Sequence, residues 1–194
     1  MEPVKMVLGG IVVALVAVGL LLGASFLFLP VSGGDDGGSS GPTLTKTTTD
    51  TDLLSLGLQV PSTWSFEMSD GSALDFDDLR GVPVVVMLMA TWCSSCGSQN
   101  GNLESLYDNV GDQVEILSLS IDASETTSML ADYKSTKGLP WQHGLDSGSS
   151  FMYYFSVTSI PTLVMIDGDG FFRFLHIGLW SEAQMLQTLA SILQ

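Results

Sequence analysis

The 194-residue chain has two cysteines, Cys93 and Cys96, set in Trp92-Cys93-Ser94-Ser95-Cys96. A thiol attacks a disulfide only as the thiolate, and a helix N-terminus stabilises that anion through its unpaired N–H groups and its dipole. At such a place Cys93 would be the nucleophile. Cys96, one turn into the helix, would then attack the mixed disulfide and release the substrate. Ser94 and Ser95 permit the turn and add hydroxyl donors. Two cysteines are too few for a multi-disulfide scaffold or a four-cysteine zinc site. A mixed zinc site would need two further ligands, and His143 and His176 are distant in sequence and in no metal-ligand spacing. Attached haem would need His after the second cysteine, where Gly97 stands. A purely structural bridge would close too small a loop to stabilise much. Redox exchange fits best, with no metal and no cofactor.

The neighbouring elements must put the pair at a helix N-terminus. Residues Val84 to Ala90 are continuously apolar, as in a central strand buried on both faces, and Pro83 precedes them where no ladder hydrogen bond is lost. After Cys96, the residues Leu103, Leu106, Tyr107 and Val110 share one face of a helix reaching about Val110, which Gly97 and Gly101 weaken. Upstream, Trp64-Ser65-Phe66-Glu67-Met68 alternates like an edge or surface strand before a turn at Ser69-Asp70-Gly71. Downstream, Val114 to Ile121 reads as a strand closed by Asp122. Residues 125–136 read as a helix with Met129, Leu130 and Tyr133 on its apolar face. Thr162–Ile166 and Phe171–Leu175 form a hairpin around Asp167-Gly168-Asp169-Gly170. A last helix runs from a Ser181 cap to Leu193, burying Met185, Leu186, Leu189 and Leu193. The pattern predicts an α/β domain with a mixed central sheet flanked by helices on both faces. The cysteines fall where the buried strand ends and a helix begins.

Ala90-Thr91-Trp92-Cys93-Ser94-Ser95-Cys96, followed by Ile160-Pro161-Thr162, resembles the thioredoxin-like superfamily over about residues 58–194. With an apolar N-terminal run and a Gly/Ser/Thr/Asp-rich tether after it, the chain is similar to the TlpA-like extracytoplasmic branch. The resemblance implies a thioredoxin-like fold, a nucleophile at Cys93 and a resolving thiol at Cys96. It implies a platform at Trp92 and a cis Pro161 that faces the CxxC and keeps metals away. Ile160, before that proline, would hydrogen-bond an extended substrate. The segment from Gly138 through Gly148 resembles the family's insertion before the proline strand. Trp141, Tyr153 and Tyr154 fit either a substrate groove or the core, and His143 and His176 read as surface or hydrogen-bonded histidines. The chain also departs from the pattern. Met87 stands where thioredoxins place a buried carboxylate, and Gln99 where TlpA-like reductases often carry Glu. Gly101 and Ser95 stand where that branch often has prolines. The proton acceptor for Cys96 is then water or a carboxylate the motif does not identify, and a Glu at position 99 is expected to quicken exchange.

Three segments are expected: a membrane anchor over residues 1–30, a flexible linker over 31–56, and the thioredoxin-like domain over 57–194. Val7 to Leu29 is an uncharged run of 23 residues, about 35 Å as a helix, which exceeds a hydrocarbon core of roughly 30 Å. A cleaved secretory signal peptide is the alternative, although its apolar region usually runs about 7–15 residues. Lys5 precedes the run and no basic residue follows until Lys46, so the positive-inside rule keeps the N-terminus in the cytoplasm and the domain outside, at the plasma membrane. The linker is mostly Gly, Ser, Thr and Asp. Six Lys and Arg against 21 Asp and Glu leave a net charge of −15, which argues against nucleic acid as a partner. A hydrophobic fraction of 45% separates the chain from acidic disordered proteins. The reading is a membrane-anchored thiol-disulfide oxidoreductase. It would reduce protein disulfides of exported proteins such as apocytochrome c, and a membrane electron donor would recharge it. The alternatives are oxidation of secreted dithiols, a peroxiredoxin-like peroxidase, which would want Thr and Arg near Cys93, and a thioredoxin-fold binding module.

Overall fold

The computed structural model describes residues 50–52 and 57–192. The expected anchor and the rest of the expected linker lie outside them. Among the described residues no helix is long and apolar enough to cross a membrane.

The apolar run is strand β4 (Val84–Met89), and all six of its residues are buried. It lies between β5 (Glu115–Ser120), parallel to it, and β7 (Thr162–Ile166), antiparallel to it. Beyond β7 runs β8 (Phe172–Ile177), completing the expected hairpin, and then β1 (Asp50–Asp52). Those last three residues belong to the segment expected to be linker, and here they are strand. Beyond β5 come β6 (Gln142–Leu145), β2 (Ser65–Met68) and β3 (Ala73–Asp75). So of the two expected alternatives β2 is the surface strand and not the edge strand; it alternates between exposed and buried residues while β3 covers its outer side.

Helices α1 (Ser94–Val110), α2 (Thr127–Lys137) and α4 (Glu182–Ile192) are joined by a short α3 (Ser150–Tyr154). Residues of alternate parity on β4 feed two cores. Val85, Met87 and Met89 pack with Leu103 and Leu106 of α1, Leu130 of α2, and Met185 and Leu189 of α4. Val84, Val86 and Leu88 pack with Phe66, Phe76, Phe151 and Phe172. Both faces of the mixed sheet are therefore covered, as the patterning predicts. In α2, Met129 points outward at 45% exposure, so that helix buries a narrower stripe than expected.

Sequence patterning does not announce β6, because Gln142-His143-Gly144-Leu145 alternates nothing. Its pairing explains the composition. A Cβ on Gly144 would stand 2.8 Å from Met68 Sδ and 2.9 Å from the Glu67 carbonyl oxygen, so the close approach of β2 needs glycine.

Candidate active site

The chain leaves β4 at Met89 and turns through Ala90, Thr91 and Trp92 into α1, whose N-cap is Cys93. Cys93 Sγ accepts the Cys96 backbone N–H at 3.1 Å, so a helix-terminal donor is already aimed at sulfur. The two cysteines form a disulfide with Cα atoms 5.2 Å apart. Cys93 is 7% exposed and Cys96 is fully buried, so an incoming thiolate can reach only Cys93. This is the N-terminal placement read from the motif.

Two acidic residues after β5 hold the loop that carries the motif. Glu125, 5% exposed, accepts hydrogen bonds from Thr91 N at 2.7 Å, Thr91 Oγ1 at 2.5 Å and Ser120 Oγ at 2.5 Å. Asp122 Oδ2 accepts the Trp92 indole N–H at 2.7 Å, while its Oδ1 accepts from Ser124. The hydrogen bonds from Ser124 and Trp92 hold the Asp122 carboxyl below its ordinary range. Trp92 itself is 70% exposed. Neither carboxylate is among the residues expected at the site. A signal existed: Asp122 closes β5, the parallel neighbour of β4, and sites gather at the carboxyl ends of parallel strands.

The Ile160–Pro161 bond is cis. The Ile160 carbonyl accepts from Ser95 Oγ at 3.5 Å, which brings this loop over the CxxC turn. The Pro161 carbonyl accepts from Gly178 N at 2.8 Å, tying the loop to the end of β8. Trp92, Cys93, Cys96, Ile160 and Pro161 are thus brought together. A groove of about 270 Å³ between Trp92 and Ile160 is floored by Ala90, Ile121 and Val157. A second groove, of about 370 Å³, lies on the other side of Cys93 and is lined by Thr91, Gly97, Tyr133 and Lys137.

Other candidates fall elsewhere. Trp141 is buried and donates its indole N–H to Ser118 Oγ at 2.9 Å, so it is core. Tyr154 joins the aromatic cluster of Trp64, Phe155 and Phe172 on the opposite face of the sheet, and Tyr153 is exposed beside it; neither lines a groove at Cys93. His143 is not at the surface: its Nδ1 pairs with the Trp141 carbonyl at 3.1 Å, and burial pushes its pKa down to about 4. His176 is buried too, with Nε2 2.9 Å from the Leu179 carbonyl oxygen and its ring stacked on Trp180. Arg80 is held by Asp77 and by carbonyls of Val60 and Asp169, and Arg173 by Asp167, so neither arginine serves Cys93.

The departures from the family pattern also acquire structure. Met87 is plain core. Gln99 is fully buried and clamps the Trp180 backbone, donating Nε2–H to its carbonyl at 3.0 Å and accepting its N–H on Oε1 at 2.8 Å. It joins α1 to the loop before α4. The expectation that Glu at 99 would quicken exchange is therefore revised, since that position is occupied by a structural tie.

Comparisons with known proteins agree with this geometry. A family model described as thioredoxin-like matches residues 81–172, which include both cysteines and the cis proline. The thiol-disulfide oxidoreductase ResA of Bacillus thuringiensis (strain Al Hakam) is 28% identical over 124 residues, 62% of this chain and 69% of that protein. The thioredoxin-like protein YneN of Bacillus subtilis (strain 168) is 24% identical over 134 residues, 69% of this chain and 78% of that protein. The crystal structure of StoA from Bacillus subtilis superposes with a TM-score of 0.57 at 20% identity, covering 68% of this chain and 98% of that one. The structural likeness concerns the fold.

Proposed function

We propose, from the premise that this chain belongs to the thioredoxin-like family as a thiol-disulfide oxidoreductase of its TlpA-like branch, that it is a disulfide reductase of exported proteins. It works outside the cytoplasm, held at the plasma membrane by residues 1–30, and its substrates include proteins such as apocytochrome c. The uncharged run from Val7 to Leu29, with Lys5 before it, supports the anchor and its orientation.

One observation carries the reading: Cys93 sits at the N-terminus of α1, reachable from outside, with Cys96 buried behind it and the cis Pro161 loop above. In the reduced enzyme the Cys96 N–H and the α1 dipole stabilise the Cys93 thiolate. Its sulfur bonds to one sulfur of the substrate disulfide, and the other leaves as a thiolate and takes a proton. Cys96 then gives up its proton and attacks Cys93 Sγ, the second substrate sulfur leaves, and the protein disulfide remains. Two electrons pass to the substrate with two protons, one from Cys96 and one from solvent, and a membrane dithiol donor restores the reduced pair. Trp92 and Ile160 flank the groove in which an extended substrate lies, with Pro161 beside it.

A Cys96→Ser variant cannot complete the second step. Expressed in cells, it is expected to accumulate mixed disulfides through Cys93 with exported cysteine proteins, identified by mass spectrometry after release with reductant. Capture of no protein, or of cytoplasmic proteins alone, would overturn the proposal.

A further inference from the structure

The residue one turn after Cys96 on the buried face of α1 is Asn100, itself only 4% exposed. Side chains four apart on a helix stack, and the later one leans over the earlier turn. Asn100 Nδ2 donates to Tyr133 Oη at 2.9 Å, which ties the amide between α1 and α2. The other end of that amide, Oδ1, is buried and has no hydrogen-bond partner among the described residues. A buried acceptor without a donor is costly, and native proteins rarely keep one without a reason.

A second buried atom without a partner among the described residues, His143 Nε2, lies near by, the His143 ring 6.2 Å from that of Tyr133. The two cannot satisfy each other. His143 Nδ1 faces a carbonyl and so carries the ring hydrogen, which leaves Nε2 an acceptor like Oδ1.

The missing donor follows from the redox state. In the disulfide, Cys96 Sγ carries no hydrogen. Reduction by two electrons and two protons breaks the Cys93–Cys96 bond and leaves an S–H on Cys96, a new donor one turn before Asn100. We propose that Asn100 Oδ1 accepts the Cys96 S–H in the reduced enzyme, a hydrogen bond that exists in one redox state only. It stabilises the dithiol form and keeps the proton on the resolving cysteine until Cys93 has captured a substrate. In a chain with Met87 and Gln99 at the positions of the family's carboxylates, an amide takes over part of the control of Cys96. This inference rests on the exchange reading of the CxxC pair.

The chain has only two cysteines, so a Cys93→Ser variant of the full chain carries a single thiol, and its infrared S–H stretch reports Cys96 alone. The band is expected below the frequency of an unbonded thiol, and Asn100→Leu in the same background should return it to the unbonded position. A band already at the unbonded position in Cys93→Ser, or one unmoved by Asn100→Leu, overturns the proposal. The first of these needs no Asn100 variant to fold. With both cysteines present, Asn100→Leu should lower the reduced-to-oxidised ratio in a fixed glutathione buffer roughly three- to five-fold, as expected of one weak hydrogen bond. That is about 14–21 mV for a two-electron couple. A merely structural role would weaken both redox forms alike and leave the ratio unchanged, which also overturns the proposal. If the unmodified pair does not exchange with the buffer at all, the exchange reading fails, and the infrared outcome still decides the hydrogen bond.

Discussion

Cys93 and Cys96 are chemically alike in sequence and unlike in place: one is an N-cap that keeps 7% exposure, the other is fully buried behind it. That difference assigns the order of the two exchange steps. His143 is a residue of another kind, a buried base outside the exchange chemistry. Its pKa is lowered by burial from 6.5 to about 4, so the unfolded chain binds more protons than the folded one between those values. Its contribution to stability is therefore complete above pH 6.5 and is lost as pH falls toward 4. At about 1.4 kcal/mol per pH unit the loss approaches roughly 3 kcal/mol. A His143→Gln variant should show a flatter dependence of unfolding free energy on pH across that window in urea titrations. An unchanged slope would show that the ring does not control acid sensitivity.

At the scale of elements, the site is a junction held from several sides. The loop after β5 grips Thr91 and Trp92 through Glu125 and Asp122, and the cis-proline loop meets Ser95 from above. Gln99 locks α1 to Trp180 with both ends of its amide. Gln99→Glu keeps an acceptor for the Trp180 N–H but loses the donor and sets a carboxylate oxygen against a carbonyl. It should cost about 1–3 kcal/mol of stability, with no gain in exchange rate near neutral pH. Faster exchange at unchanged stability, measured with a fluorescent peptide disulfide, would return Gln99 to the chemistry of Cys96. The strand β4 and the helices α1, α2 and α4 were legible because apolar periodicity is a local property. Strands β3 and β6 were not, because each is short and its residues make sense only beside β2.

Across the whole molecule, residues 57–194 carry 16 acidic and 4 basic residues. Among the described residues the ion pairs are Arg80 with Asp77 and Arg173 with Asp167, so most carboxylates repel one another without compensation. Raising sodium chloride from about 0.1 M to 1 M shortens the screening length from about 10 Å to about 3 Å and should weaken that repulsion. The melting temperature is expected to rise with salt, and a fall on calorimetry would mean that the attractive pairs dominate.

Sequence by itself determined the α/β class, the two-sided burial of β4, and the placement of a CxxC pair at a strand-to-helix junction. These depend on residues within a turn or two of one another, and their spacing records them directly. Only the tertiary structure decided that Glu125 and Asp122 hold the motif loop, that Gln99 is a tie to Trp180, and that the Asn100 oxygen, one turn behind Cys96, has no partner among the described residues. Each of these polar side chains would be equally at home in solvent. Their roles come from partners brought together across 30 to 80 residues of chain by the sheet and its crossovers, and no local pattern encodes which partner the fold will supply.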